Sequence, residues 1–164
     1  MKEIRDELVR LLKEGHCTPR IVELSRELKE SSPTIHYNIK QLEKAGIIIR
    51  YKAVFNYKKI DQGYCNYVLI NLSNDEYSNP ERIARELAKF PEVESVDIIT
   101  GGWEIIIKVR TKDVDEFYGF VKNVLSKRGI SRTISLTSLK QIKTEFIELY
   151  DDTNIVSDSS HSNK

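Results

Sequence analysis

The sequence predicts an α+β protein in which an N-terminal winged helix-turn-helix precedes a ferredoxin-like β-α-β-β-α-β domain. Three observations lead to this prediction. Apolar residues follow helical spacing as far as Gly46 and strand-like spacing after it. The pair Gly101-Gly102 lies between two runs with strand-like composition. Positive charge is concentrated between residues 29 and 60.

The first 46 residues are predicted to form three helices. Their apolar faces comprise Ile4, Leu8, Leu11 and Leu12 in the first, Ile21, Leu24 and Leu28 in the second, and Ile35, Ile39 and Leu42 in the third. Gly15 can end the first helix. The expected starts are Thr18-Pro19 for the second helix and Ser32-Pro33 for the third, which ends at Ala45-Gly46. Only three residues separate the second and third helices, so we expect a helix-turn-helix with a trihelical core.

After Gly46 the composition becomes strand-like. Residues 47–56 are rich in β-branched and aromatic residues interleaved with cations, which predicts a strand or β-wing followed by a linker. The expected organisation is a helix-turn-helix domain over residues 1–50, a strand and linker over 51–62, a ferredoxin-like domain over 63–149 and a disordered tail over 150–164.

The second half alternates strands and helices in a ferredoxin-like order. Predicted strands cover residues 64–72, 93–100, 103–110 and 133–139, and predicted helices begin at Pro80 and near Val114 and end before Pro91 and near Gly129. In the third strand Trp103, Ile105, Ile107 and Val109 share an apolar face. The opposite face, with Lys108 and Arg110, is expected to contact water or a partner.

Charge is distributed unevenly along the chain. Residues 29–60 hold seven lysine or arginine residues and two glutamates, an excess of +5, although the whole chain has a formal net charge of +1. A concentrated basic segment is typical of phosphate binding, because each neutralised phosphate releases condensed counterions. A solvated surface is the other interpretation of the charge alone.

The third helix is predicted to present its polar face to double-stranded promoter or operator DNA. With Ile35 on the buried side and about 100° per residue, Tyr37, Lys40, Gln41 and Lys44 point outward, and His36 and Asn38 flank them. Amide side chains can bind adenine, and lysine can bind guanine or phosphate. Ser31, Ser32 and Thr34 at the helix start supply hydroxyls, and the helix terminus supplies N–H groups, for a phosphate. Arg50 and Lys52 complete the predicted DNA-binding set.

These residues resemble a known family. The run PTIHYNIKQLEKAGII over residues 33–48, followed by Tyr51-Lys52-Ala53, resembles the DNA-binding half of Lrp/AsnC (feast/famine) transcription regulators. Residues 96–109, VDIITGGWEIIIKV, look like the effector and assembly domain of that family, in which a glycine turn precedes an aromatic and an acidic residue. The resemblance covers residues 3–147 and keeps both halves in the same order.

The resemblance implies a homodimer formed through the C-terminal sheets, further assembly into tetramers or octamers, and pseudo-palindromic operators. It also implies a small effector, commonly an amino acid, near Thr100, Gly101, Gly102, Trp103 and Glu104. Two positions depart from the family: Glu104 stands where Asp is usual, and Asn38 where Arg is frequent. Trp103 is either an effector platform or a packed aromatic. Glu104 either contacts an effector amine or is a solvated carboxylate.

The sequence thus indicates a DNA-binding transcriptional regulator of the cytoplasm, without catalytic residues, metal ligands, cofactor or membrane span. The His16-Cys17 pair lacks the further groups that a catalytic or metal site needs, and Cys65 is expected to behave as a small hydrophobe. The alternative function is an amino-acid-sensing module that docks on a metabolic enzyme. RNA recognition by the sheet ranks lower, because the polar face of the third strand has no stacking aromatics.

Overall fold

The computed structural model describes residues 2–126, 129–144 and 147–149. The chain divides into two compact units, Met1–Phe55 and Asn56–Lys164. The predicted tail, residues 150–164, lies outside the described residues.

The first unit contains three helices, α1 (Lys2–Lys13), α2 (Ile21–Leu28) and α3 (Ser32–Lys44). The three predicted helices and the three-residue connection between α2 and α3 are confirmed. The predicted starts were wrong by one or two residues. Arg20 precedes α2 without a side-chain cap, and Ser31 rather than Ser32 caps α3. The end of α3 agrees with the prediction, since Gly46 follows it with a φ of +71°.

The predicted trihelical core is much smaller than the apolar pattern suggested. Among the described residues of this unit, only Ile35 is fully buried, with 6% of its surface exposed. Leu8, Leu28 and Ile4 are exposed, and Ile4 retains 68% of its accessible surface. A unit of this size has a high ratio of surface to volume, so amphipathic helices cannot bury all their apolar faces against one another.

The predicted strand or wing over residues 47–56 is absent. This segment forms neither helix nor strand, and a short 3₁₀ helix follows at Tyr57–Ile60. A strand exists only where a second strand satisfies its backbone groups, and β-propensity alone does not supply that partner. Residues 47–56 therefore follow α3 as an irregular segment, which we call the arm.

The second unit has the predicted β-α-β-β-α-β order, which confirms a ferredoxin-like domain. Its elements are β1 (Tyr64–Leu72), α4 (Pro80–Leu87), β2 (Val93–Ile98), β3 (Ile105–Thr111), α5 (Val114–Phe120) and β4 (Ile130–Thr137). The four strands form an antiparallel sheet in the order β2-β3-β1-β4. A π-helical turn, Val121–Leu125, extends α5, and two short strands, β5 (Lys143–Thr144) and β6 (Ile147–Glu148), pair antiparallel in a separate two-stranded sheet.

The two helices cover one face of this sheet and form the core with it. Ile105, Ile107 and Val109 in β3 are completely buried, as their alternation predicted. They pack in one cluster with apolar residues of β1, α4, α5 and the π-helical turn. Strand β3 begins two residues later than expected and β4 begins three residues earlier, since residues 130–132 continue the pairing with β1 across an irregularity at Asn71/Leu72.

The opposite face of β3 is not open to water at Lys108 and Arg110. Each of these residues has only 7% of its surface exposed. Glu94 in β2 accepts a hydrogen bond from Lys108 Nζ at 2.9 Å and another from Arg110 Nε, while the Arg110 guanidinium lies 3.7 Å from the centre of the Tyr57 ring. The expectation that water covers these two residues was wrong, because the chain itself covers both cations.

Candidate nucleic-acid interface and effector site

The start of α3 is held by two hydroxyl groups. Ser31 Oγ accepts the Thr34 backbone N–H at 3.3 Å and lies 2.8 Å from Thr34 Oγ1. The Ile35 N–H donates to the Ser31 carbonyl, and Pro33 has no N–H. Among the backbone N–H groups in the first turn of α3, the Ser32 N–H is therefore the one that has no acceptor within the described chain. The helix start therefore offers a phosphate fewer free N–H groups than the sequence suggested.

The outward face of α3 is uncovered within its unit, as predicted. His36, Tyr37, Asn38, Lys40, Gln41 and Lys44 are all exposed, and Tyr37 retains 63% of its surface. Ile35 on the opposite side is buried. Because the polar face is uncovered, its side chains can reach the base edges of a major groove.

The residues on this face differ in how their polar groups are used. Asn38 Nδ2 donates to the Thr34 carbonyl at 2.9 Å, so part of its amide is already bound within the helix. Lys40 pairs with Glu43. In the described part of the chain, the side chains of Tyr37, Gln41 and Lys44 make no hydrogen bond, so their donors and acceptors are available to a ligand.

Glu43 lies among the candidate DNA-binding residues, and the sequence did not single it out. Its Oε2 accepts from Lys40 Nζ at 2.7 Å, and its Oε1 accepts from the Tyr51 hydroxyl at 3.0 Å. The hydrogen bonds from Lys40 and Tyr51 lower the pKa of the Glu43 carboxyl, and Glu43 raises the pKa of Lys40. Desolvation, followed by the bond to Glu43, raises the pKa of Tyr51. Only the spacing of Lys40 and Glu43 was visible in the sequence.

Arg50 and Lys52 extend the basic surface beyond α3, and both side chains are exposed. The chain between them passes close to Gly15. A Cβ at Gly15 would lie 2.9 Å from the Tyr51 carbonyl oxygen, and Gly15 has a φ of +89°. Only glycine combines this backbone conformation with such a close approach. Gly15 therefore allows the chain at Tyr51 to pass this close to the residues that follow α1.

The predicted effector residues form the turn between β2 and β3. The Ile99 N–H donates to the Glu104 carbonyl at 2.9 Å, and Gly101 has a φ of +118°. Asn71 Nδ2 donates to the Gly102 carbonyl at 3.2 Å, which ties the turn to the end of β1. The structure thus brings residues 100–104 together in one turn with Asn71, which sequence reasoning did not include.

Trp103 and Glu104 are both half-buried. Glu104 Oε2 accepts the Leu72 backbone N–H at 2.9 Å, so this carboxylate has a structural partner and is not simply solvated. The Arg132 guanidinium lies 5.2 Å from the centre of the Trp103 ring, within range of a cation–π interaction. The turn therefore presents an aromatic ring and a carboxylate beside a cation.

The described residues contain no group of three or more side chains that could hold a metal ion. Among them there is also no helix that is long and apolar enough to cross a membrane.

Comparison with known proteins gives concordant matches. The family model described as the Lrp/AsnC ligand binding domain matches residues 65–147. A helix-turn-helix-type transcriptional regulator of Pyrococcus abyssi is 34% identical over 149 residues, which cover 88% of this chain and 99% of the relative. The regulator FL11 of Pyrococcus furiosus is 29% identical over 85% of this chain and 90% of its own length.

A similar solved structure is that of a transcriptional regulator from Neisseria meningitidis in complex with L-Met. It is 27% identical, covers 85% of this chain and 90% of its own chain, and superposes with a TM-score of 0.66. The similarity therefore extends over both units.

Proposed function

The chain belongs to the Lrp/AsnC family of transcriptional regulators, and we propose that it acts by placing α3 in the major groove of promoter or operator DNA. The observation that carries this proposal is the orientation of α3. Its apolar residue Ile35 is buried, whereas the polar face around Tyr37 and Gln41 is uncovered. The preceding α2 and the three-residue turn complete a helix-turn-helix.

The exposed residues of this surface have two roles in the proposal. The cations supply affinity by neutralising phosphates, and they are Lys40, Lys44, Arg50 and Lys52. The residues that contact base edges supply specificity, and they are Thr34, His36, Tyr37 and Gln41. Ser31, Ser32 and Asn38 position the start of the helix against the backbone of the duplex.

Selection of duplexes from a random-sequence pool by the full chain tests this function. The pool should converge on a pseudo-palindrome whose half-sites lie about one helical turn apart. Gln41→Ala should then cost about 1 to 3 kcal/mol at particular base pairs and leave binding to scrambled duplex unchanged. Failure to enrich any sequence, or an equal effect of Gln41→Ala on both duplexes, would refute the proposal.

The proposed assembly is a homodimer through the sheet face opposite α4 and α5, with tetramers or octamers built from it. Two apolar side chains of β4 support this interface, since Ile134 and Leu136 lie on that face with 36% and 52% of their surface exposed. Burying such side chains against a second sheet is favourable. Sedimentation equilibrium should detect the dimer, and Leu136→Glu should dissociate it, whereas a monomeric wild-type chain would contradict this assignment.

We further propose that an amino acid binds at the turn of residues 100–104. The L-Met complex of the Neisseria relative supports this ligand class. Glu104 offers a carboxylate for the ligand amine, and Arg132 beside Trp103 offers a cation for its carboxylate. Calorimetric titration with each protein amino acid tests the site. Heat that is lost in Glu104→Ala supports it, and binding that persists in this variant would contradict it.

A further inference from the structure

Glu43 connects the recognition helix to the basic arm that follows it. Its two carboxylate oxygens accept from different residues, one from Lys40 in α3 and the other from Tyr51 in the arm. Glu43 is only partly exposed, with 29% of its side-chain surface accessible, whereas the Lys40 side chain is 59% exposed. One carboxylate thus joins two parts of the proposed DNA-binding surface.

Tyr51 is held on two sides within the first unit. Its hydroxyl donates to Glu43, and its carbonyl oxygen lies against Gly15. Its neighbours Arg50 and Lys52 are exposed. Residues 47–56 form neither helix nor strand, and the Ile47 and Ile48 N–H groups hold the start of this segment by donating to the Leu42 carbonyl. The bond from Tyr51 to Glu43 adds a side-chain tether to α3 at the point where the two cations lie.

We propose that Glu43 is a positioning and specificity-determining residue of the DNA-binding surface. Through Tyr51 it fixes the arm that carries Arg50 and Lys52, and through Lys40 it reduces the attraction of α3 for phosphates in general. This inference rests on the proposed function.

The charge arrangement gives the physical reason. A lysine paired with a carboxylate contributes little net attraction to a phosphate, and the carboxylate itself repels it. An exposed pair of this kind is weak, so a phosphate in the correct position can take Lys40 from Glu43. A phosphate elsewhere meets a locally neutral site. Glu43 therefore acts as a repulsive element against incorrect DNA registers, which increases specificity.

Glu43→Gln separates the charge from the hydrogen bond, because the amide oxygen can still accept from Tyr51. Two probes are needed, a duplex selected by the wild-type chain and poly(dI-dC) as non-specific DNA. We expect Glu43→Gln to bind poly(dI-dC) several-fold more tightly and with a steeper salt dependence, by about 0.9 in log–log slope for each added phosphate contact. The ratio of specific to non-specific affinity should fall.

Tyr51→Phe tests the other half of the proposal, because it keeps the Lys40–Glu43 pair and removes the hydroxyl bond that ties the arm to Glu43. Affinity for the selected duplex should fall several-fold, and binding to poly(dI-dC) should change little. Asp6→Asn in α1 is the matched control, since it also removes one negative charge from an exposed side chain of the same unit. It should reproduce neither effect.

Several results would overturn the inference. The first is that Glu43→Gln leaves unchanged both the ratio of specific to non-specific affinity and the salt dependence of binding to poly(dI-dC). The second is that Asp6→Asn changes these two quantities as much as Glu43→Gln does. If Glu43→Gln fails to fold, as judged by thermal unfolding, an unchanged affinity of Tyr51→Phe for the selected duplex overturns it instead. A wild-type chain that enriches no duplex contradicts the proposed function itself, which is a different result.

Discussion

Truncation of Lys44 should weaken binding to every DNA sequence by an amount that depends on salt. Lys44 lies in the last turn of α3, its side chain is exposed, and it makes no ion pair within the described residues. Unlike Lys40, it can give its full charge to a phosphate. Under the proposed function, Lys44→Ala should remove one phosphate contact from each subunit and disturb no carboxylate.

The magnitude follows from counterion release. Each lost contact should make the log–log slope of affinity against salt shallower by about 0.9. Between about 50 and 200 mM salt, the affinity of the wild-type chain should fall roughly 3.5-fold further than that of Lys44→Ala if one contact is lost, and roughly 12-fold further if two contacts are lost. The two values distinguish one Lys44 per complex from two, so the experiment also reports whether a dimer is bound.

Fluorescence anisotropy of a labelled duplex over this salt range provides the measurement, with the selected and a scrambled sequence in parallel. Both should show the shallower slope in Lys44→Ala. The matched control is Lys89→Ala, which removes an exposed lysine near the end of α4 in the second unit. An unaltered slope in Lys44→Ala, or the same change in Lys89→Ala, would contradict a phosphate contact by Lys44.

Three further outcomes are expected. Ile107→Ala should lower the free energy of unfolding by roughly 2 to 5 kcal/mol, because the Ile107 side chain is completely buried in β3. Denaturation monitored by Trp103 fluorescence measures this free energy. A loss below about 1 kcal/mol would mean that the core around residue 107 collapses onto the smaller side chain. Burial raises the pKa of the Cys65 thiol, so the folded chain should be alkylated more slowly at Cys65 than at the half-buried Cys17 near neutral pH. Peptide mass spectrometry measures the two alkylation rates, and faster labelling of Cys65 would contradict its burial. The Glu43 carboxyl has a lowered pKa in the folded chain, so its contribution to stability is complete above its ordinary value of 4.5 and is lost as the pH falls through the folded-state pKa. In Glu43→Gln the unfolding temperature should therefore fall less steeply as the pH is lowered through this range. The same pH dependence of the unfolding temperature in both proteins would contradict the ionised pair.

The regular features of the fold were predictable from the sequence because they depend on local spacing. The spacing of Ile35 with the other apolar residues of α3 correctly predicted which side of this helix is buried. The alternation of residues in β3 correctly predicted which of its side chains are buried. The choice between Ser31 and Ser32 as cap was not predictable in this way. Both can cap a helix, and only the geometry shows which hydroxyl reaches the Thr34 N–H.

The errors concern features that depend on partners distant in the sequence. The composition of residues 47–56 suits a strand, but no other segment pairs with it in the described chain. The alternation that placed Lys108 and Arg110 on a polar face was correct, whereas their exposure was not, because Glu94 comes from the neighbouring strand. Glu43 was missed for the same reason, since its bond to Tyr51 crosses from α3 to the irregular arm.

The first unit has little apolar burial with which to hold its DNA-binding surface in shape. Among its described residues only Ile35 is fully buried, so polar and backbone contacts maintain the geometry. These contacts include the Ser31 cap, the close approach at Gly15, the two bonds of Glu43 and the backbone bonds from Ile47 and Ile48 to Leu42. The same contacts position the residues proposed to bind DNA. A substitution at any of them therefore changes stability and DNA recognition together, whereas Lys44 and Gln41, which make no hydrogen bond in the described chain, can change recognition alone.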